Sequence, residues 1–65
     1  MITVNGKAES FTGPISLTDF LAQASYQPAR IAVELNGAII PKAEYDTTII
    51  TDGAVIEVVS FVGGG

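Results

Sequence analysis

The chain has 65 residues, of which 48% are hydrophobic and 15% charged. A chain of that length forms one domain, near the lower limit for a core unaided by metal or disulfide, and its composition argues for a packed globule and against disorder. With no cysteine and no histidine it has no disulfide framework, thiolate nucleophile, imidazole base or usual zinc ligand; a net charge of −4, with Lys7, Arg30 and Lys42 the only basic side chains, disfavours nucleic acid and anionic membrane and favours a basic protein partner.

The chain opens on Ile2, Thr3 and Val4, alternating as in a strand, and Asn5-Gly6 suits a type I′ hairpin because both central positions need φ > 0. Neither a basic leader nor an apolar run of membrane-spanning length is present, so the expectation is a cytoplasmic protein. Lys7 to Phe11 is the return strand, closed by Thr12-Gly13-Pro14. Ser16 then precedes Leu17-Thr18-Asp19, a variant capping box in which the hydroxyl accepts from the Asp19 amide. Ile15 and Phe20 staple that end, and Leu17, Phe20, Leu21 and Ala24 form the apolar face of a short helix that Pro28 stops.

Ile31, Val33 and Leu35 alternate in a third strand, which turns at Asn36-Gly37 into a fourth at Ala38-Ile39-Ile40. Pro41 limits further pairing, Lys42 to Tyr45 makes one irregular or 3₁₀ turn, and Thr47 to Thr51 is an edge strand. Asp52-Gly53 turns the chain into Ala54–Val62, whose apolar density requires a central position in the sheet. In that last strand Ile56 and Val58 face the helix and Glu57, Val59 and Phe61 the opposite side, by the period of two. The competing placement folds Phe61 over its own sheet edge. The order ββαββ(β) predicts an α+β fold, a mixed four- to five-stranded sheet with one helix across it, and the β-grasp arrangement satisfies that order with short connections.

Residues 1–62 therefore make the body, and Gly63, Gly64 and Gly65 a flexible tail without Cβ atoms. Three glycines reach at most about 10 Å, enough to carry a terminal carboxylate into a narrow slot on another protein. Glu44, Asp46 and Asp52 lack the regular spacing of a metal loop and read as solvated loop residues. Tyr26 and Tyr45 read as partly core.

The Asn36-Gly37 turn followed by Ile39-Ile40-Pro41-Lys42, the Asp52-Gly53 pair and the ending Val58-Val59-Ser60-Phe61-Val62-Gly63-Gly64-Gly65 resemble the ThiS family, the sulfur carrier proteins of thiamin biosynthesis. Ala54 stands where that family often has an acidic residue, and Lys42 where arginine is common. The resemblance implies a ubiquitin-like β-grasp fold and no catalysis by the chain itself. It also implies that Gly65 is adenylylated by an E1-like, ThiF-type adenylyltransferase, converted to a thiocarboxylate with sulfur that a cysteine desulfurase supplies, and consumed by a ThiG-type thiazole synthase. No cofactor is bound, because the ATP site belongs to the partner. Val59, Phe61 and Val62 are the expected docking residues and Gly63 and Gly64 the access thread. Alternatives are a carrier of the molybdopterin synthase small-subunit type, a modifier forming isopeptide bonds, and a non-covalent β-grasp interaction module.

Overall fold

In the computed structural model, which describes residues 1–61, both Asn-Gly pairs turn hairpins. Asn5 (φ 51°) and Gly6 (φ 82°), like Asn36 (φ 52°) and Gly37 (φ 86°), occupy the left-handed region that a type I′ turn demands. The first turn joins β1 (Ile2–Val4) to β2 (Lys7–Glu9) in antiparallel register. β2 is shorter than the expected Lys7 to Phe11 because Ile2 opposite Glu9 is the last pair that β1 can offer.

A two-residue strand, β3 (Ile15–Ser16), which the residue pattern does not predict, leads into the helix α1 (Leu17–Gln23). Ser16 caps it as expected, its Oγ accepting from the Asp19 N–H at 3.1 Å. Two more N–H groups of the first turn are satisfied from outside the helix, Leu17 by the Thr48 carbonyl at 2.8 Å and Thr18 by the Tyr45 carbonyl at 3.3 Å. The helix stops at Gln23, before Pro28 can act. Ser25 takes φ 65°, its N–H donates to Ala22 C=O, and Tyr26 N–H donates to Leu21 C=O. Those are the bonds of a Schellman cap, with serine in the usual glycine position. Ala24, expected on the buried face, is consequently exposed, while Leu17 and Leu21 are fully buried and Phe20 partly so.

A 3₁₀ turn, Pro28–Arg30, delivers the chain to β4 (Ile31–Leu35), which pairs antiparallel with β5 (Ala38–Ile40). A second 3₁₀ turn, Lys42–Glu44, follows Pro41 as expected. The edge strand expected at Thr47 to Thr51 shrinks to β6 (Ile49–Ile50), and it joins β3 in a separate two-stranded sheet. The cause is local: the backbone N–H and the hydroxyl of both Thr47 and Thr48 donate to Glu44 C=O at 2.7 to 3.3 Å, which winds those residues onto the preceding turn. Gly53 (φ 86°) then turns the chain into β7 (Val55–Ser60), the turn closed by Ala54 N–H donating to Thr51 C=O.

The main sheet has the order β2-β1-β7-β4-β5. β7 lies at its centre, parallel to β1 (Thr3 opposite Val55) and antiparallel to β4 (Val33 opposite Val58). This is the β-grasp arrangement, and its central strand is served twice by hairpin side chains. Asn5 Oδ1 accepts from Val58 N–H at 2.7 Å, and Asn36 Oδ1 accepts from Val55 N–H at 2.9 Å. The core lies between α1 and one face of the sheet. Leu17, Leu21, Ile31, Val33, Ile50 and Ile56 are each exposed by 2% or less, and burying each contributes about 1.5–3 kcal/mol.

Candidate functional site

The strict alternation of β7 decides which side chains stand near the end of the described chain. Ala54, Ile56 and Val58 are buried under the helix, whereas Val55, Glu57 and Val59 are exposed on the opposite face, as the period of two requires. Val59 is 59% exposed and Phe61 49%. Of the residues expected to matter for function, these two are described; Val62, Gly63, Gly64 and Gly65 lie outside the described residues.

Phe61 falls between its two expected placements. It is half-exposed, so it is not core; yet its N–H donates to the Arg30 carbonyl at 2.8 Å and the Lys42 ammonium lies 5.9 Å from its ring centroid. The same ammonium lies 5.8 Å from the Tyr45 ring and donates to the carbonyls of Pro28 at 2.8 Å and Ile31 at 2.6 Å.

The register adds neighbours that sequence reasoning missed. Val59 stands opposite Ala32, Glu57 opposite Glu34, and Glu34 opposite Ile39, which is 74% exposed. Together Ala32, Glu34, Ile39, Glu57 and Val59 line a shallow depression of about 220 Å³ on the uncovered side of the sheet. The signal for Ile39 was present: a two-residue turn at Asn36-Gly37 fixes the hairpin register, and an inward Ile40 forces Ile39 outward. The depression therefore carries an apolar pair, Ile39 and Val59, and two carboxylates facing each other across neighbouring strands. Like charges directly opposed in a sheet are destabilising, so this pair lowers the stability of the isolated protein.

Two of the other carboxylates have partners elsewhere in the chain. Asp46 accepts a hydrogen bond from the Thr18 hydroxyl. Asp52 accepts one from the Met1 ammonium, and that bond, reinforced by the positive charge, holds its carboxyl below the usual carboxylate range. No group of three or more acidic or other metal-ligating side chains converges among the described residues. Tyr45 is core, and burial pushes its phenol above the ordinary value, partly offset by a backbone hydrogen bond with Val33. A larger groove of about 570 Å³ lies on the helix side, between α1 and the segment around Phe11 and Pro14, with Phe20 and Tyr26 in its wall.

Comparison with known proteins places this geometry. The ThiS family model matches residues 2–65. The sulfur carrier protein ThiS of Bacillus subtilis is 40% identical over 68 residues, covering all of both chains. A thiazole synthase of Paramagnetospirillum magneticum is 31% identical over 64 residues, which are 98% of this chain and 20% of that one, so the chain spans about a fifth of that relative. The crystal structure of a thiamine biosynthesis protein (ThiS) from Geobacter metallireducens superposes with a TM-score of 0.86 at 33% identity, over 98% of this chain and 97% of the other. A match along nearly the whole sequence, a carrier of similar length and a shared backbone agree: the chain belongs to the ThiS family of small sulfur carrier proteins.

Proposed function

We propose that this protein carries sulfur for thiazole formation in thiamin biosynthesis on the carboxylate of Gly65, with residues 1–62 as the body and Gly63 and Gly64 as the thread that enters the partner. The observation that carries the reading is the family match, which runs through the glycines to residue 65. The fold supports it from the other side, because β7 is the central strand and Phe61, still hydrogen-bonded to the body, stands four residues from Gly65. Four residues span at most about 14 Å.

A carboxylate is ionised at neutral pH and its charge repels nucleophiles, so it must first be activated. In this reading an E1-like, ThiF-type enzyme binds ATP and joins AMP to the carboxylate with loss of pyrophosphate; a persulfide fed by a cysteine desulfurase displaces the AMP, and a thiol cleaves the resulting acyl disulfide to leave the thiocarboxylate. The ThiG-type thiazole synthase consumes the resulting thiocarboxylate. The match to a fifth of a bacterial thiazole synthase supports a working link between the two kinds of protein. No helix among the described residues is long and apolar enough to cross a membrane; the cytoplasmic setting is part of this proposal.

The docking surface in this reading is the uncovered face of the sheet beside the tail, with Val59 and Phe61 as anchors. Intact-mass measurement after incubation with the activating enzyme, ATP and a sulfur source tests the chemistry: the expected product has one oxygen replaced by sulfur. Adding one residue after Gly65 should abolish that product without altering the fold; sulfur incorporation in an extended, untrimmed chain overturns the assignment. Phe61→Asp should weaken binding to the activating enzyme about tenfold, or about 1.4 kcal/mol, while the circular dichroism spectrum is kept. Normal binding by that variant removes Phe61 from the docking surface.

A further inference from the structure

The point where the chain leaves the sheet is held by an arrangement that the docking reading leaves unexplained. Two carbonyls of the Pro28–Arg30 turn and that of Ile31, the first residue of β4, are taken by two groups from elsewhere in the chain. Lys42 Nζ donates to Pro28 C=O at 2.8 Å and to Ile31 C=O at 2.6 Å, and Phe61 N–H donates to the intervening Arg30 C=O at 2.8 Å. An ammonium has three N–H groups. Two are spent on the carbonyls, and the ring centroids of Tyr45 and Phe61 lie 5.8 and 5.9 Å from the nitrogen, inside the roughly 6 Å range of cation–π attraction. Lys42 therefore touches the turn that anchors the Phe61 backbone and the Phe61 ring itself.

We propose that Lys42 is a positioning residue for the carrier's chemistry: through the Pro28–Arg30 turn and the Phe61 ring it fixes Phe61, the residue from which the sequence runs on to Gly65. The proposal rests on Gly65 being the acceptor. Ile31 stands opposite Ser60 at the end of the β4–β7 register, and the bond from Phe61 N–H to Arg30 C=O carries that register one residue further. Lys42 supports that bond through the turn that bears the carbonyl, and its ammonium lies beside the Phe61 ring. Gly65 is only four residues beyond Phe61, so a displaced Phe61 lowers the fraction of bound carriers whose carboxylate is aligned for reaction. Such a loss falls on turnover more than on binding. An exposed lysine that holds backbone carbonyls is poorly explained as charge balance alone, and Arg30, exposed on the same turn, makes no side-chain hydrogen bond among the described residues.

The test uses the full chain with Lys42→Met, Lys42→Arg, Phe61→Leu and the Lys42→Met/Phe61→Leu double variant, with two readouts. In the isolated protein, hydrogen exchange at the Phe61 amide should be faster in Lys42→Met by roughly tenfold and near wild type in Lys42→Arg, which keeps a cation and donors. In adenylylation by the activating enzyme, Lys42→Met should lower kcat roughly five- to tenfold with KM within about twofold, Lys42→Arg should restore kcat, and the double variant should be no worse than the poorer single one. Unchanged Phe61 exchange in Lys42→Met, an unchanged kcat, or additive losses in the double variant overturns the proposal. Should Lys42→Met fail to fold, Lys42→Gln, which removes the charge and leaves Phe61 intact, takes its place with the same two readouts and the same overturning outcomes. A wild-type chain that is never adenylylated overturns the Gly65 assignment instead, and the exchange measurement still tests the hold of Lys42 on Phe61.

Discussion

Asn5 does two jobs with one side chain. Its backbone takes the left-handed φ of 51° that the hairpin needs, and its Oδ1 accepts from Val58 N–H on the central strand. Glycine satisfies the first requirement and forfeits the second, so Asn5→Gly leaves a partly buried donor without a partner, a loss of about 1–2 kcal/mol. Asn5→Asp keeps both the acceptor and the tolerance of positive φ and should stay close to wild type. Urea denaturation of the two variants checks this, and equal stabilities would mean that the Val58 contact contributes nothing. Tyr45 offers a second measurement at this scale. Burial raises its folded-state pKa above that of the unfolded chain, so the protonated phenol stabilises the fold in full below the ordinary value near 10, and the contribution is lost as pH rises through the folded value. Thermal melting followed from about pH 9 to about pH 11 should fall more steeply for the wild type than for Tyr45→Phe.

Among the elements, β4, β5 and β7 together make an uncovered face that carries an opposed acidic pair. Glu34 and Glu57 are opposed in register, with Ile39 and Val59 beside them. Glu57→Lys replaces repulsion by attraction and should stabilise the isolated protein by about 0.2–1 kcal/mol. If the face receives a basic partner, the same change should weaken association with the activating enzyme, most at low salt. A variant that gains stability and binds as before would detach the acidic pair from docking. What was legible in the sequence at this scale follows from local rules. The facing of β7 comes from its period, the start of α1 from the Ser16–Asp19 spacing, and both hairpins from Asn-Gly. The pairing of β3 with β6 was not legible, because two-residue strands have no period to read and their partners are far apart in sequence. The early stop of α1 escaped notice for a different reason, since Ser25 takes over a cap that glycine usually signals.

For the molecule as a whole, the family match and the backbone agree with the order of elements, whereas the contacts of Lys42 could not be read beforehand. Its sequence neighbours predict a turn, and the carbonyls it holds belong to a segment that only the folded chain brings near. The same holds for the two asparagine side chains that reach β7, and these have a consequence for how the protein ages. Asparagine followed by glycine is the pair most prone to spontaneous deamidation, because the following amide nitrogen attacks the side-chain carbonyl carbon with little hindrance. Here each of those side chains is held on the central strand by its oxygen. Folding thus restrains the rotation that the reaction needs, and each passage through the unfolded state exposes both sites to a change that no refolding reverses. The useful life of the protein is then set in part by how seldom its hairpins open.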